Sequence, residues 1–187
     1  MSVTLITGPT REPVSLAEAK AHCRVDTNDE DGLIAGYLLA ARQHVETYTR
    51  RALLTQTWDQ SVDELGSEIV LLRPPVQSIT SLKYLDSTGV EQTLAPSQYR
   101  LVKRATGEFV IVPAYGVTWP TAQAVEAAVT VRFVAGYLPE TVPEPLRHGI
   151  LLLVGHWYEN REAVDTRGSA SEVPMGFEPL VFPFRAF

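Results

Sequence analysis

His156 and Glu159 are the residues whose types and spacing come nearest to a chemical site in this chain. They stand one helical turn apart, which is also the spacing of the carboxylate–histidine pairs in di-metal helical bundles. Such a centre needs a second pair and further acids from other helices. The remaining histidines, His22, His44 and His148, have no such companion motif. Metal sites require several converging ligands, so His156 reads as a structural histidine and no metal is expected. His22 and Cys23 are neighbours on a predicted helix, where adjacent side chains point in different directions, so a Cys–His dyad is not expected from them. No Gly-x-Ser-x-Gly and no glycine-rich phosphate loop occurs. Catalytic residues, cofactors and metal are therefore all expected to be absent. The competing expectation is a small intracellular enzyme, or a ligand-binding module, with its site at a β/helix junction around His156 and Glu159.

The acidic run at 26–31 invites comparison with a calcium loop, but the pattern fails. Asp31 falls where the loop requires glycine, and Tyr37 falls where it requires glutamate. Acids and polar caps belong at a helix N-terminus, where they meet the free amides and the positive end of the dipole. A single cysteine excludes an internal disulfide and any site built from two thiolates. With 16 Lys and Arg against 22 Asp and Glu the net charge is −6. Tight binding to nucleic acid by phosphate neutralisation needs clustered cations, and none are present. The N-terminus has no charged start followed by an apolar stretch, and no apolar run approaches a membrane span. A soluble chain made in the cytoplasm, with no membrane association, is expected.

Three helices are predicted. Ser15 and Glu18 have capping-box spacing at the start of a helix over 15–24. A second helix over 29–51 carries Leu33, Ile34, Tyr37, Leu38, Ala41, Val45 and Tyr48 on one stripe. A third, over 143–161, opens with Thr141 and Glu144 as another capping box and carries Leu146, Ile150, Leu153, Val154 and Trp157. Between them lie short runs rich in β-branched and aromatic residues, at 57–62, 68–72, 79–85, 98–102, 109–112 and 129–134, separated by Pro and Gly turns. The fold class is α+β: a small helical bundle interrupted by an antiparallel β insertion, with an extended C-terminal tail. Its expected divisions are 1–54 (helical, first part), 55–138 (β insertion), 139–164 (last helix) and 165–187 (linker and docking tail). Neither helical half can bury its stripe alone, so the two halves must meet.

The tail is unusually aromatic, with Phe177, Phe182, Phe184 and Phe187 in the last eleven residues beside Leu180. Termini ordinarily fray. Such a segment either folds back on its own core or docks on a neighbouring molecule. Pro174, Pro179 and Pro183 favour an extended path. Residues 167–171, small and polar, read as a flexible tether before it. Phe177, Leu180, Phe182, Phe184 and Phe187 are the candidate partner-binding residues.

In order, these segments resemble the bacteriophage head–tail connector (adaptor, head-completion) family, in the branch with an inserted β domain. Residues 14–20 with Arg24-Val25-Asp26 resemble its opening helix, and 31–57, through Ala40-Ala41-Arg42 and Arg50-Arg51-Ala52-Leu53, its second helix. Leu72-Arg73-Pro74-Pro75-Val76 is similar to its first β turn, residues 131–137 to its last strand, and 150–162 to its final helix. Leu180 and Phe184-Arg185 resemble its ending. The resemblance implies a structural subunit of the virion's head–tail junction, made in the host bacterial cytoplasm. It implies a homo-oligomeric ring, usually twelvefold, beneath a portal protein and above a stopper or tail-completion protein. Double-stranded DNA would pass through that ring without specific binding, as an acidic lumen favours. The family brings no catalytic residues.

Overall fold

The computed structural model describes residues 1–161 and 176–186. The chain divides into two compact units, one built mainly of Met1–Pro9 and Thr55–Tyr137, the other of Thr10–Leu54 and Leu138–Arg185. The fold is α+β, with every strand pairing antiparallel.

The helical unit is organised by α1 (Leu16–Cys23), α2 (Asp31–Thr49) and α3 (Glu144–Glu159). The capping box at α1 is formed: the Glu18 amide donates to Ser15 Oγ, and the Ser15 amide donates to the Glu18 carboxylate. On α2, Ile34, Leu38, Ala41 and Val45 are buried as the stripe predicts, whereas Leu33 faces out. On α3, Leu146, Ile150, Leu153 and Val154 are fully buried.

Two expected helix starts differ. Glu30 is the N-cap of α2 and makes no side-chain cap. Two acids of the 26–31 run are held by cations: Asp31, in the first turn, pairs with Lys20 at 2.7 Å, and Glu30 with Arg161 at 2.6 Å. Thr141 does not cap α3, because Pro139–Thr141 form a 3-10 turn and the Thr141 hydroxyl donates to the Leu138 carbonyl. Pro143 is the N-cap and Pro145 lies in the first turn, where a missing N–H costs nothing.

The exit from α2 is fixed by charge. Arg42 and Glu46, both nearly buried, pair at 2.7 Å, and Arg42 also reaches Glu12 at 2.7 Å. The other Glu46 oxygen accepts the Leu53 amide at 2.8 Å. Arg50 takes the left-handed conformation, φ 55°, that ends the helix.

The β unit contains two sheets. The larger has order β1-β2-β8-β4-β5, from β1 (Ser2–Thr7), β2 (Gln56–Val62), β4 (Val76–Leu85), β5 (Glu91–Thr93) and β8 (Val129–Ala135). The smaller has order β3-β7-β6, from β3 (Ile69–Leu71), β6 (Tyr99–Lys103) and β7 (Phe109–Pro113). In β8, Val129, Val131, Phe133 and Ala135 alternate inward and are buried, while Arg132 faces outward and meets its cross-strand partner Asp59 in a two-pronged pair of 2.8 and 2.7 Å. β1 and β5 are additions to the strands expected from sequence. The expected division places the first nine residues with the helices, but Ser2–Leu5 run antiparallel to Ser61–Trp58 instead.

Gln60, completely buried on β2, ties this sheet to β3. Its amide donates to the Val70 carbonyl at 2.7 Å and its oxygen accepts the Leu72 amide at 2.8 Å. Gln60→Leu would keep the volume and strand both backbone groups. An unsatisfied buried group costs about 1–3 kcal/mol, so urea unfolding should show a loss of about 2 kcal/mol or more with an unchanged m-value.

Candidate functional site

The C-terminal segment, singled out for its phenylalanines, has a built seat on the helical unit. Gly149 creates it. A Cβ at this position on α3 would lie 2.8 Å from Val181 Cγ1 and 3.5 Å from the Phe177 ring. The missing side chain is the space that the segment fills. Phe177 (1% exposed) and Val181 are buried there. The Phe177 ring meets those of His44 and Tyr48 on α2, at centroid distances of 5.4 and 5.7 Å. Two arginines hold the end of the segment: Arg51 Nε donates to the Phe184 carbonyl, and the Arg185 guanidinium lies 5.7 Å from the Tyr48 ring centroid.

The described part of the segment is not extended, in contrast to the path its prolines favour. Phe177–Val181 form a short helix, α4, and Phe182–Phe184 a 3-10 turn. Pro179 occupies the third helical position and Pro183 the second of the turn, both among the amides that have no intrahelical acceptor.

The five candidate docking residues are thereby separated. Phe177 faces its own unit, Leu180 and Phe184 are half-buried, and Phe182 is 51% exposed. Phe187 and the tether expected at 167–171 lie outside the described residues. Gly149, Val181, Arg51 and Tyr48 complete the seat; the sequence places Tyr48 on the α2 stripe, but marks none of the four as a site residue. A glycine inside the otherwise apolar face of α3 was the available signal.

The His156–Glu159 pair belongs to a cleft of about 270 Å³ lined by His22, Cys23, Leu152, Gly155, His156, Tyr158 and Glu159. Gly155 admits the His22 imidazole, whose Nε2 would sit 3.0 Å from a Cβ there. His22 meets His148 edge to face at 6.4 Å. Burial, then the charge of His148, push the His22 pKa below its ordinary 6.5, with Glu159 opposing. Burial and then Glu159 push the Cys23 thiol up, the wrong direction for a nucleophile. His22 and Cys23 thus line one cleft, although they are adjacent in sequence. Asn160, which ends α3, donates to the His156 carbonyl at 3.0 Å and lies 3.4 Å from its Nδ1. Among the described residues, no three His, Cys, Asp or Glu converge as metal ligands. Beside the cleft, the Tyr158 hydroxyl and Arg161 both donate to Glu30, which holds that carboxyl below its usual range. Among the described residues no helix is long and apolar enough to cross a membrane.

Two measurements probe these features. Gly→Ala inside a helix ordinarily stabilises by roughly 0.5–1 kcal/mol. Gly149→Ala should instead destabilise by about 1–3 kcal/mol through overpacking and speed proteolysis of the C-terminal segment, and Val181→Ala in the same chain should recover much of that loss. For His22, the native state prefers the neutral ring. Its contribution to stability is present above pH 6.5 and is lost as pH falls through the lower native pKa. NMR titration should find His22 below 6.5, rising in His148→Gln.

A family model matches part of the sequence, and solved structures share the fold. The family model described as phage gp6-like head-tail connector protein matches residues 13–79. No curated protein matches the chain. A chain in the neck of an empty gene transfer agent (GTA) particle, computed with C6 symmetry, is 26% identical, with a TM-score of 0.80 and 100% of this chain and 96% of that one covered. A chain in the virion of a native gene transfer agent particle is likewise 26% identical, with a TM-score of 0.79 and the same coverage. One in the neck of the native particle, computed with C12 symmetry, is 25% identical with a TM-score of 0.74, again over 100% and 96%. In sequence over 13–79 the chain resembles the phage gp6-like head–tail connector family, and over its whole length it has the fold of a particle-neck subunit.

Proposed function

We propose that the protein is a structural subunit of the head–tail connector, assembling as a ring below the portal of a tailed phage or phage-like particle. The observation that carries this reading is the full-length likeness to neck chains, joined to the connector-family match at 13–79. The ring joins head to tail and extends the DNA channel. A net charge of −6 suits a conduit, because like charge lets phosphates slide past and a basic lumen would retain them. The ring is twelvefold in the particle. Its partners are the portal protein on one side and a stopper or tail-completion protein on the other. The subunit is made in the host bacterial cytoplasm and resides at the head–tail junction of the virion. It has no enzymatic activity and uses no cofactor or metal. Nothing among the described residues favours the alternative enzyme or ligand-binding module.

Within this reading the C-terminal segment serves as a docking element. Phe177 anchors it to its own subunit, while exposed Phe182, flanked by Leu180 and Phe184, and with Phe187 beyond, offers the surface to a neighbour or the portal. Electron microscopy of the purified protein, alone and with portal, should show rings. A persistent monomer under both conditions would sink the connector reading. In the same assay Phe182→Ala should cost less stability than Phe177→Ala, yet weaken ring formation or portal attachment. Phe177→Ala should cost about 3–5 kcal/mol of stability. Unimpaired assembly of Phe182→Ala would remove the segment from the interface.

A further inference from the structure

The two sheets have four outer edges among the described residues, and three are blunted. β5 is only three residues long and carries the Lys83–Glu91 ion pair of 2.7 Å, and the stretch of β4 that it leaves uncovered is broken by two register shifts between Val76 and Ser81. The outward amide and carbonyl beside β3 are taken by Gln60. β6 carries Arg100 and Lys103. Short length, charge and covered backbone are the ordinary devices against unwanted strand pairing.

β1 has none of these. It is six residues long, Ser-Val-Thr-Leu-Ile-Thr, with no charge and no proline. It pairs only with β2 among the described residues. Its one irregularity, a register shift between Leu5 and Thr7, lies at the far end and leaves Ser2–Leu5 in regular register. Ile6, at that shift, is 45% exposed; Thr4 and Leu5, neighbours in regular register, point to opposite faces and are both exposed. A partner packed on one face would cover only one of them. A strand added at the edge covers both and satisfies the outward backbone groups.

We infer that the free edge of β1 is a subunit–subunit contact, taken up by backbone of an adjacent copy of this chain. The inference rests on the ring reading above. A second copy is the occupant because the similar neck chains occur under C6 and C12 symmetry. A rotation of order above two makes each copy meet its neighbours through two different surfaces. β1 is one of them, and its acceptor lies elsewhere on the next copy. A β1–β1 pairing would be self-complementary and would stop at a dimer.

The test uses the full chain and the double variant Leu5→Lys/Ile6→Lys. Both positions are exposed, so the thermal transition should be unchanged. Mass photometry should place half-assembly of the variant at a concentration at least about tenfold higher than wild type. Hydrogen exchange on the wild type supplies an independent readout: amides of residues 2–7 should exchange markedly more slowly in rings than in dilute monomer. If the variant fails to fold, this second readout decides alone. Undiminished rings in a folded variant, or equally fast exchange of residues 2–7 in ring and monomer, would overturn the inference and leave the connector reading intact. Wild-type assembly that stops at a β1-dependent dimer would overturn it as well. Wild type that never assembles, even with portal, would remove the ring reading and this inference together.

Discussion

The seam between α2 and α3 is the contact on which the helical unit depends. Each helix buries an apolar stripe, Ile34, Leu38, Ala41 and Val45 on one and Leu146, Ile150, Leu153 and Val154 on the other. Neither stripe can leave water without a partner. Nearly a hundred residues separate them, so everything between must fold without pulling the seam apart. The Arg42–Glu46–Leu53 network serves that end, holding the chain in one path as it leaves α2 for the β unit. The same seam makes the seat for the C-terminal segment, since Gly149 belongs to α3 and His44 and Tyr48 to α2. Ordering the seam is therefore what gives Phe177 and Val181 a place to bury.

The periodic elements are legible in the sequence because periodicity reports burial directly. The stripes of α2 and α3, the capping box of α1 and the inward alternation of Val129, Val131, Phe133 and Ala135 all follow from it. β1 escapes because an edge strand exposed on both faces has no buried side to reveal. β5 is too short to carry a pattern. Arg42, Glu46 and Gln60 look like solvent-facing residues by type, and only tertiary partners explain their burial. The prolines of the tail suggest an extended path by type, yet Pro179 and Pro183 sit where a first turn tolerates them.

The candidate site is half legible. Aromatic density singles out the C-terminal segment, but cannot separate Phe177, which is buried in its own unit, from Phe182, which is half exposed. That division depends on Gly149, and a glycine's role as a socket exists only once its neighbours are known. His156 and Glu159 illustrate the converse. Their spacing matches a metal motif, while the surrounding cleft supplies a raised thiol and a neutral-leaning imidazole.

The sheet order carries a temporal consequence. β8, the strand between β2 and β4, is the last of the sheet to be made, and β1, at the outer edge, is the first. As the chain leaves the ribosome, β2 and β4 have no shared neighbour until residue 135 emerges, and α2 waits longer still for α3. Long-range pairings of this kind form slowly and leave apolar surface uncovered meanwhile. The sheet that β1 and β2 begin thus stays unfinished for most of synthesis, until β8 fills the place between β2 and β4.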